Sequence, residues 1–423
     1  MYKKAVLAVA VGAAVVLSAC GTVHAPVKKE ESKPDKAAVS FDEDDFLKLS
    51  DPANELGKQL VTMVKPDEDG NVFVSPVSLL MALSMLQNGA NGETRDEILE
   101  AVQLKGMDEE AINRANASLL DYLQRSDEEL TLKTANSLWM NDTYTLQDAF
   151  KSVIHDYFSA DAEEIDISDS KSAARINAWV KASTNGKIEK MVDAPLDSDL
   201  VMYLMNAVYF KGSWTYPFNE EMTENGIFNL EDGSEATVPF MTLHESLPYF
   251  ENDQFQAVSL TYGDEGKMTM DVFVPKEGQD VESFLKSWTA ENRTAWNDSF
   301  ETAPGSIRMP KLQLDYEADM KAPLMELGMQ KAFNGGSADL SLLVQEEKER
   351  LFVSKVKQKT YLSIDEKGTE AAGVTSVTVS IESALSGEPF EMSADKPFFI
   401  TIRDKEADVL LFAGKIANPV QGN

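Results

Sequence analysis

Few side chains in this sequence have the type and spacing that enzymatic catalysis needs. The histidines are His24, His155 and His244, and no serine lies in a G-x-S-x-G pattern that would expose it as a nucleophile. Ser354-Lys355-Val356-Lys357 fits S-x-x-K, but the partner motifs of that enzyme class are missing and the segment resembles a strand. The metalloprotease spacing H-E-x-x-H is absent too. The sequence therefore predicts a protein that is not an enzyme and that uses no metal and no cofactor.

The single cysteine, Cys20, has the context of a lipid-modification site. Lys3 and Lys4 precede an apolar stretch over residues 5–17, which is the order of a secretory signal. This stretch is shorter than the roughly 20 residues that a helix needs to cross a bilayer. Leu17-Ser18-Ala19-Cys20 also resembles the bacterial lipobox, after which the cysteine is acylated and becomes the new amino terminus. The alternative is a plain signal peptide with a chance cysteine.

These features predict a lipoprotein signal peptide over residues 1–19, an acylated, disordered tether over 20–45, and one domain over 46–423. The tether is charged, interrupted by proline and poor in large apolar side chains. Two or three acyl chains would anchor it stably in a membrane. Because Gly21 follows the cysteine in place of aspartate, we expect export across the inner membrane and anchoring at the outer membrane or cell surface.

The net charge of −32 limits the partners of the protein. Removal of residues 1–19 would make it −34, since Lys3 and Lys4 are lost. Nucleic acid is disfavoured as a partner because phosphate binding needs a basic surface. Attraction of the domain to anionic membrane surfaces is disfavoured for the same reason. With one cysteine, no disulfide can form within the chain, and we expect a monomer.

The elements that must position any functional segment follow an α+β pattern. Helical patterns crowd the first half: Ser50-Asp51-Pro52 and Ser75-Pro76 read as capped helix starts, and a third helix covers 172–181. Strand patterns dominate the second half, at residues 200–210, 268–274, 396–403 and 409–416. Asp232-Gly233 suits a hairpin turn. The helix after Ser75-Pro76 is apolar on every side and is therefore predicted to be buried all round.

The segment from Thr369 to Glu382 alternates with a period of two. Its first set is small or apolar: Thr369, Ala371, Gly373, Thr375, Val377, Val379 and Ile381. Its second set carries charge at both ends and mainly small or hydroxyl side chains between: Glu370, Ala372, Val374, Ser376, Thr378, Ser380 and Glu382. One face is thus fit for burial, as in an ordinary half-buried strand or in a segment that becomes a strand later.

Six segments, in order, resemble the serpin family, and together they cover about residues 46–420. They are 71–78 (NVFVSPVS), 206–214 (NAVYFKGSW), 238–241 (VPFM), 362–372 (LSIDEKGTEAA), 396–398 (KPF) and 412–419 (FAGKIANP). The resemblance implies the serpin fold, with about nine helices around three β-sheets and an exposed reactive-centre loop at about 366–392. Carried on a lipobox, it also points to the architecture of the family's bacterial members.

The resemblance further implies an inhibitor of serine or cysteine endopeptidases. In the family, the target protease cleaves the loop, forms a covalent acyl-enzyme, and is trapped when the loop inserts as a new central strand. The hinge would be Glu366, Gly368, Thr369, Glu370, Ala371, Ala372 and Gly373, whose inward side chains carry neither charge nor bulk. A non-inhibitory serpin that acts as a binding protein is the alternative.

The bait bond is located by counting from Glu366 with the family's usual spacing, which gives Glu382–Ser383. The following stretch is about four residues longer than usual, so Ile381–Glu382 and Leu385–Ser386 stay open as alternatives.

The resemblance also identifies a shutter and a breach, the places where the sheet parts. Ser75, Ser78 and Asn206 match the polar shutter cluster, and Trp214 matches the aromatic residue where the loop first enters. Gln358 stands where the family usually has histidine. An amide both donates and accepts, so we expect a latch of altered strength.

Overall fold

A computed structural model describes residues 39–124, 130–345, 351–369 and 389–420. The predicted α+β class is confirmed within these ranges. The α-helices are α1 Ser50–Met63, α2 Pro76–Gln87, α3 Gly92–Ala101, α4 Glu109–Gln124, α5 Asp148–Phe158, α6 Ser172–Ser183, α7 Val281–Ser287, α8 Ala290–Asn297 and α9 Lys321–Glu326. The strands are β1 Val72–Val74, β2 Leu130–Asn141, β3 Asp161–Ile165, β4 Met202–Ser213, β5 Glu224–Asn229, β6 Glu235–Glu251, β7 Phe255–Tyr262, β8 Met268–Pro275, β9 Glu301–Pro310, β10 Leu312–Asp319, β11 Lys355–Asp365, β12 Gly368–Thr369, β13 Phe390–Ser393, β14 Phe398–Asp404 and β15 Val409–Ile416.

The start of the first helix differs from the prediction. A 3₁₀ helix, Glu43–Leu49, runs directly into α1, so the helical segment begins before Ser50. Ser50 therefore lies inside a continuous helical segment and caps nothing. Its hydroxyl donates instead to the carbonyl oxygen of Ala407, at 2.6 Å. In the described ranges, no helix has the length and apolarity to cross a membrane.

Helix α2 is the centre of the main core. All twelve of its residues are buried, which confirms the prediction from its apolar sequence. Pro76 takes the first helical position, where its missing N–H costs nothing. The helix packs against α1, β15, β4 and β2, and so it lies directly beneath the sheet that carries the site.

The described strands form two hydrogen-bonded sheets, where three were expected. One has nine strands, in the order β1-β15-β14-β8-β7-β6-β9-β13 with β5 beside β6. The strand β6 is seventeen residues long, and it pairs with three strands in succession: with β5 over 235–240, with β9 over 240–249 and with β7 over 249–251. Because β6 pairs with β5, β9 and β7 in turn, all of these strands belong to one sheet, and the described strands make two sheets and not three. The hairpin predicted around Asp232-Gly233 joins β5 to β6.

The other sheet has six strands, in the order β10-β11-β12-β4-β2-β3. Strands β4 and β11 run parallel and pair directly, from Tyr203 with Lys355 to Tyr209 with Tyr361. We call this junction the seam. The inner face of the sheet covers the main core, while α6 and the residues after it form a second, smaller core with β2 and β4 on the outer face.

Candidate functional site

The two-residue strand β12 occupies the end of the seam near Asp365 and Ser213, which we call the upper end. Gly368 and Thr369 pair antiparallel with Asp365 and Ile364 of β11 on one side, and with Ser213 and Gly212 of β4 on the other. Below them β4 and β11 pair with each other. Within the described residues, the sheet is thus parted by Gly368 of the predicted hinge and by Thr369, the first residue of the alternating segment, and it is closed beneath them.

Thr369 is fully buried in this position. Its hydroxyl lies 2.7 Å from the hydroxyl of Tyr262, which is also fully buried. Burial raises the pKa of Tyr262 far above its ordinary value, so the phenol stays protonated and can donate. The Tyr262 ring stacks on Trp214 at a centroid distance of 4.4 Å. The site therefore accepts a small hydroxylated side chain and encloses it with aromatic rings.

The turn that leads from β11 into β12 is fixed by backbone hydrogen bonds. The Trp214 indole N–H donates to the carbonyl oxygen of Asp365 at 3.0 Å, and its backbone N–H donates to that of Lys367 at 2.9 Å. Gly368 has a φ of 151°, and a Cβ there would lie 2.1 Å from the Gly212 carbonyl oxygen. Because this approach excludes a side chain, the turn requires glycine.

Glu366 is held by a nearly buried ion pair. Its carboxylate lies 2.7 Å from Lys311 Nζ and accepts a hydrogen bond of 2.6 Å from the Thr223 hydroxyl. Burial alone would raise the pKa of this carboxyl, but the bonds from Lys311 and Thr223 outweigh burial and hold the pKa below its ordinary value. Glu366 is thus ionised near neutral pH and ties the hinge to Lys311, which follows the end of β9.

These contacts correct the expected limits of the exposed loop. Glu366, Gly368 and Thr369 are buried because the sheet encloses them, and Phe390 and Met392 are buried in β13, which pairs with β9. Within the range 366–392, Gly368–Thr369 and residues 390–392 therefore belong to sheet strands and not to an exposed loop, while Glu366 and Lys367 form the turn before β12.

A buried polar network lies under the seam and joins its two strands. The Gln358 amide on β11 accepts from the Ser75 backbone N–H at 2.9 Å and donates to the Ser75 carbonyl oxygen at 2.8 Å. It also donates to Asn206 Oδ1 on β4, at 2.6 Å. Gln358 thus uses both its donor and its acceptor atoms to bind one strand of the seam to the other and to the start of α2.

Asn206 extends this network to β2. Its amide donates to Asn136 Oδ1 at 2.7 Å, and to the hydroxyl of Ser78. Ser75, by contrast, participates through its backbone only. Its hydroxyl makes no hydrogen bond among the described residues and does not cap α2, which corrects the prediction of a serine cap. The shutter residues Ser75, Ser78, Asn206 and Gln358 all lie together beneath the seam.

Histidine in place of Gln358 should make the stability of the sheet depend on pH. Burial lowers the pKa of an imidazole below its unfolded value of about 6.5. Neutral histidine can accept from the Ser75 N–H, but the protonated form has no acceptor and leaves that N–H unsatisfied, which costs about 1–3 kcal/mol. The stability that this hydrogen bond provides is therefore present above about pH 6.5. It is lost as the pH falls through the lower imidazole pKa of the folded state.

The measurement is the difference in thermal midpoint between Gln358→His and the parent protein at pH 7.5 and pH 5.5. We expect the variant to lose about 1–2 °C further relative to the parent at the acid pH. An equal difference at both pH values would contradict the role assigned to the Gln358 acceptor atom.

The remaining predicted site residues lie outside the described ranges. They are the hinge residues Glu370, Ala371, Ala372 and Gly373, the three candidate bait bonds from Ile381 to Ser386, and the lipidation site Cys20.

The residues that raised the possibility of catalysis have structural partners. The Ser354 hydroxyl accepts from the Val201 backbone N–H at 2.9 Å, and Lys357 of the same S-x-x-K pattern donates to the Met191 carbonyl oxygen at 3.0 Å. His155 contacts the carboxylate of its neighbour Asp156. Among the described residues, no cluster of three or more histidine, cysteine or acidic side chains is arranged to hold a metal ion.

Sequence reasoning missed several residues of this site. Tyr262, Lys311, Thr223 and Asn136 all contact predicted site residues. Asn136 carried a local signal, because it is a polar residue in an otherwise strand-like segment. The other three look like ordinary strand or surface residues, and only the sheet topology brings them to the hinge.

At one end of this sheet the start of a chain segment lies between two strands, and a buried polar cluster lies beneath it. This arrangement is the one expected of a serpin. The family profile described as serpin (serine protease inhibitor) matches residues 51–419. Human serpin B9 is 33% identical over 356 residues, covering 82% of this chain and 93% of its own length. The chain belongs to the serpin family.

Solved structures agree with this assignment. The crystal structure of tengpin, a thermophilic serpin in the native state, superposes with a TM-score of 0.80 at 30% identity, covering 90% of this chain and 97% of tengpin. The structure of human thyroxine-binding globulin in complex with thyroxine gives a TM-score of 0.77 at 26% identity, covering 90% of this chain and 99% of the globulin. Similar structures therefore include a thyroxine-binding protein.

Proposed function

We propose that this protein is an inhibitory serpin that traps serine or cysteine endopeptidases irreversibly. The observation that carries the proposal is the position of Thr369, buried at the top of the seam with β4 and β11 closed below it. A strand that continued downward from Thr369 would enter between these two strands. The alternating sequence from Thr369 to Ile381 supplies small or apolar side chains for the buried face of such a strand.

The proposed reaction begins when the protease nucleophile attacks the carbonyl carbon of the bait residue, with Glu382–Ser383 as the favoured bond. The peptide bond breaks, Ser383 leaves as a new amino terminus, and the protease is left as an acyl-enzyme. Insertion of about fourteen residues at about 3.3 Å each would then carry the protease roughly 45 Å along the sheet before water releases it. Burial of Val377, Val379 and Ile381 would contribute about 5–9 kcal/mol.

We also propose that the inhibitor acts at a membrane surface. The lipobox-like sequence ending at Cys20 supports lipid anchoring after export across the inner membrane, at the outer membrane or cell surface. The acidic surface supports a monomeric inhibitor whose partners are proteases and not nucleic acids. Labelling of growing cells with a radioactive fatty acid, with Cys20→Ser as the control, tests the anchor.

Incubation with a panel of serine and cysteine proteases tests the inhibitory function. We expect a covalent complex that survives SDS electrophoresis, together with release of a carboxy-terminal peptide. The mass of that peptide identifies the bait bond among the three candidates. Cleavage of the loop by every protease without any stable complex would overturn the proposal.

A non-inhibitory, ligand-carrying serpin is the second candidate, favoured by the likeness to thyroxine-binding globulin. Against it stands the hinge sequence, in which the inward positions Thr369, Ala371 and Gly373 carry neither charge nor bulk. The same protease panel separates the two, because a carrier would give cleaved chain only.

A further inference from the structure

A cavity of about 270 Å³ lies where four segments of the chain meet. These are the end of α4, the start of β2, the turn between β7 and β8, and the turn between β14 and β15. A closed apolar cavity of about 150 Å³ is enough to hold benzene. This cavity therefore has room for a compound of about two rings. Its wall combines apolar with charged side chains: Tyr122, Leu123, Leu130, Leu132, Tyr262, Glu265, Lys267, Met268, Asp404 and Glu406.

The apolar part of the wall is built from regular elements. Leu123 comes from α4, Leu132 from β2, Tyr262 from β7 and Met268 from β8, and all four side chains are buried. Sites on helices and strands hold their shape better than sites on loops. The cavity is thus preformed, and Tyr262, which also bonds Thr369, forms part of its wall.

Asp404, the last residue of β14, places a buried carboxylate in this wall. It is only 2% exposed, and its Oδ1 accepts from the Tyr122 hydroxyl at 3.0 Å and from the Ala407 backbone N–H at 2.8 Å. Both donors are neutral. Buried charges in proteins are ordinarily paired, as Asp271 is with Arg403 at 2.6 Å. Among the residues that the structure describes, no lysine, arginine or histidine forms such a pair with Asp404.

The electrostatics of the cavity favour a cation. Burial raises the pKa of Asp404, in keeping with the lack of a cation beside it. At the more exposed edge, the Lys267 ammonium contacts Glu265 at 2.9 Å and Glu406 at 3.6 Å. The wall therefore carries three carboxylates and one ammonium, and that ammonium is engaged by the two outer carboxylates. Such a distribution attracts cations and repels anions.

We propose that this cavity is a binding site for a small amphipathic amine, a compact apolar body that carries one ammonium group, with Asp404 as its counter-ion. The ammonium donates to the Asp404 carboxylate, and the apolar body fills the space between Leu123, Leu132 and Met268. Hydrogen bonds between charged partners are stronger than neutral ones, so the charge selects the ligand. The site goes beyond the proposed function, since it needs neither a protease nor strand insertion.

The test is isothermal titration calorimetry of the full chain with tryptamine, a two-ring amine. We expect one molecule bound per chain with a Kd on the order of 0.1–1 mM. Tryptophol has the same rings but a hydroxyl in place of the ammonium, and it should bind about tenfold more weakly. Indole-3-acetate, which carries the opposite charge, should give no binding heat.

A near-isosteric variant tests the counter-ion. Asp404→Asn keeps an oxygen that can accept from Tyr122 and Ala407, but it removes the charge. We expect the affinity for tryptamine to fall about tenfold and the affinity for tryptophol to stay the same. Asp315→Asn removes a carboxylate of β10 that does not line the cavity, and it should leave both affinities unchanged.

A second variant tests the location without touching any charge. Leu123→Phe adds bulk to the apolar wall and should abolish the binding of both compounds, while the thermal midpoint shows that the chain is folded. Binding of tryptamine by Leu123→Phe with the affinity of the parent would overturn the location.

The outcomes are independent of protease trapping. The inference is overturned if tryptamine at about ten times the expected Kd neither gives binding heat nor raises the thermal midpoint of the parent. Equal affinity of Asp404→Asn and the parent for tryptamine would also overturn it. If Asp404→Asn does not fold, the parent alone decides, because equal affinities for tryptamine and tryptophol would rule out a role for the charge. A parent that binds the amine but traps no protease would sustain the site and contradict only the inhibitory function.

Discussion

Arginine at position 369 should convert the protein from a trap into a substrate. In the parent, Thr369 is fully buried and its hydroxyl meets that of Tyr262. Arginine could enter this place only by burying an unpaired charge against aromatic rings, which is strongly unfavourable. The hinge would then stay out of the sheet, the loop would be cleaved, and the acyl-enzyme would be hydrolysed before insertion. We expect the number of inhibitor molecules consumed per protease trapped to rise about tenfold or more.

The measurement is a titration of a trapped protease with increasing inhibitor, read as residual protease activity and as the ratio of complex to cleaved chain on SDS gels. Thr369→Ser keeps the hydroxyl and serves as the matched control, with an expected stoichiometry near that of the parent. Thr369→Val removes only the hydrogen bond to Tyr262 and should change the stoichiometry of inhibition only slightly. Efficient trapping by Thr369→Arg would show that the hinge does not enter where Thr369 now lies.

The resemblance to serpins places the predicted hinge between Glu366 and Gly373, and the local sequence adds a pattern that is consistent with it. The run from Glu366 to Thr369 contains a glycine whose place no other residue can take, followed by a small residue that begins a period-two pattern. The same periodicity is visible along β11, where buried and half-exposed residues alternate without interruption. Local patterns of this kind depend on the pleat of a strand and survive in any surrounding structure.

The partners of the hinge were not predictable, because they come from distant parts of the chain. Tyr262 is 107 residues away from Thr369, and Lys311 lies in the turn between β9 and β10. Nothing in their local sequence distinguishes them from other strand aromatics or surface lysines. The contacts of Lys357 and Lys359 are similar, since an alternating lysine on a strand usually indicates a solvated face. Here each ammonium contacts a backbone carbonyl of the segment that follows α6 and a carboxylate of β10.

Lysine at position 366 should destabilise the top of the sheet, because it reverses the charge of the group that pairs with Lys311. Breaking a buried pair leaves an uncompensated charge, and two ammonium groups would then replace the present pair. Since Lys311 is partly exposed, we expect a loss of about 2 kcal/mol and a fall in thermal midpoint of about 2–3 °C.

The pH dependence of the thermal midpoint tests the role of the Glu366–Lys311 ion pair directly. The pKa of Glu366 lies below its ordinary value of 4.5, so its contribution to stability is fully present above that pH and is lost as the pH falls through the folded value. The gap in thermal midpoint between the parent and Glu366→Gln, which cannot titrate, should therefore be widest near pH 7 and should narrow as the pH falls below 4.5. Combining Glu366→Lys with Lys311→Glu restores opposite charges and should recover part of the lost stability. A double variant no more stable than Glu366→Lys alone would mean that the Thr223 hydrogen bond, and not the ion pair, secures the hinge.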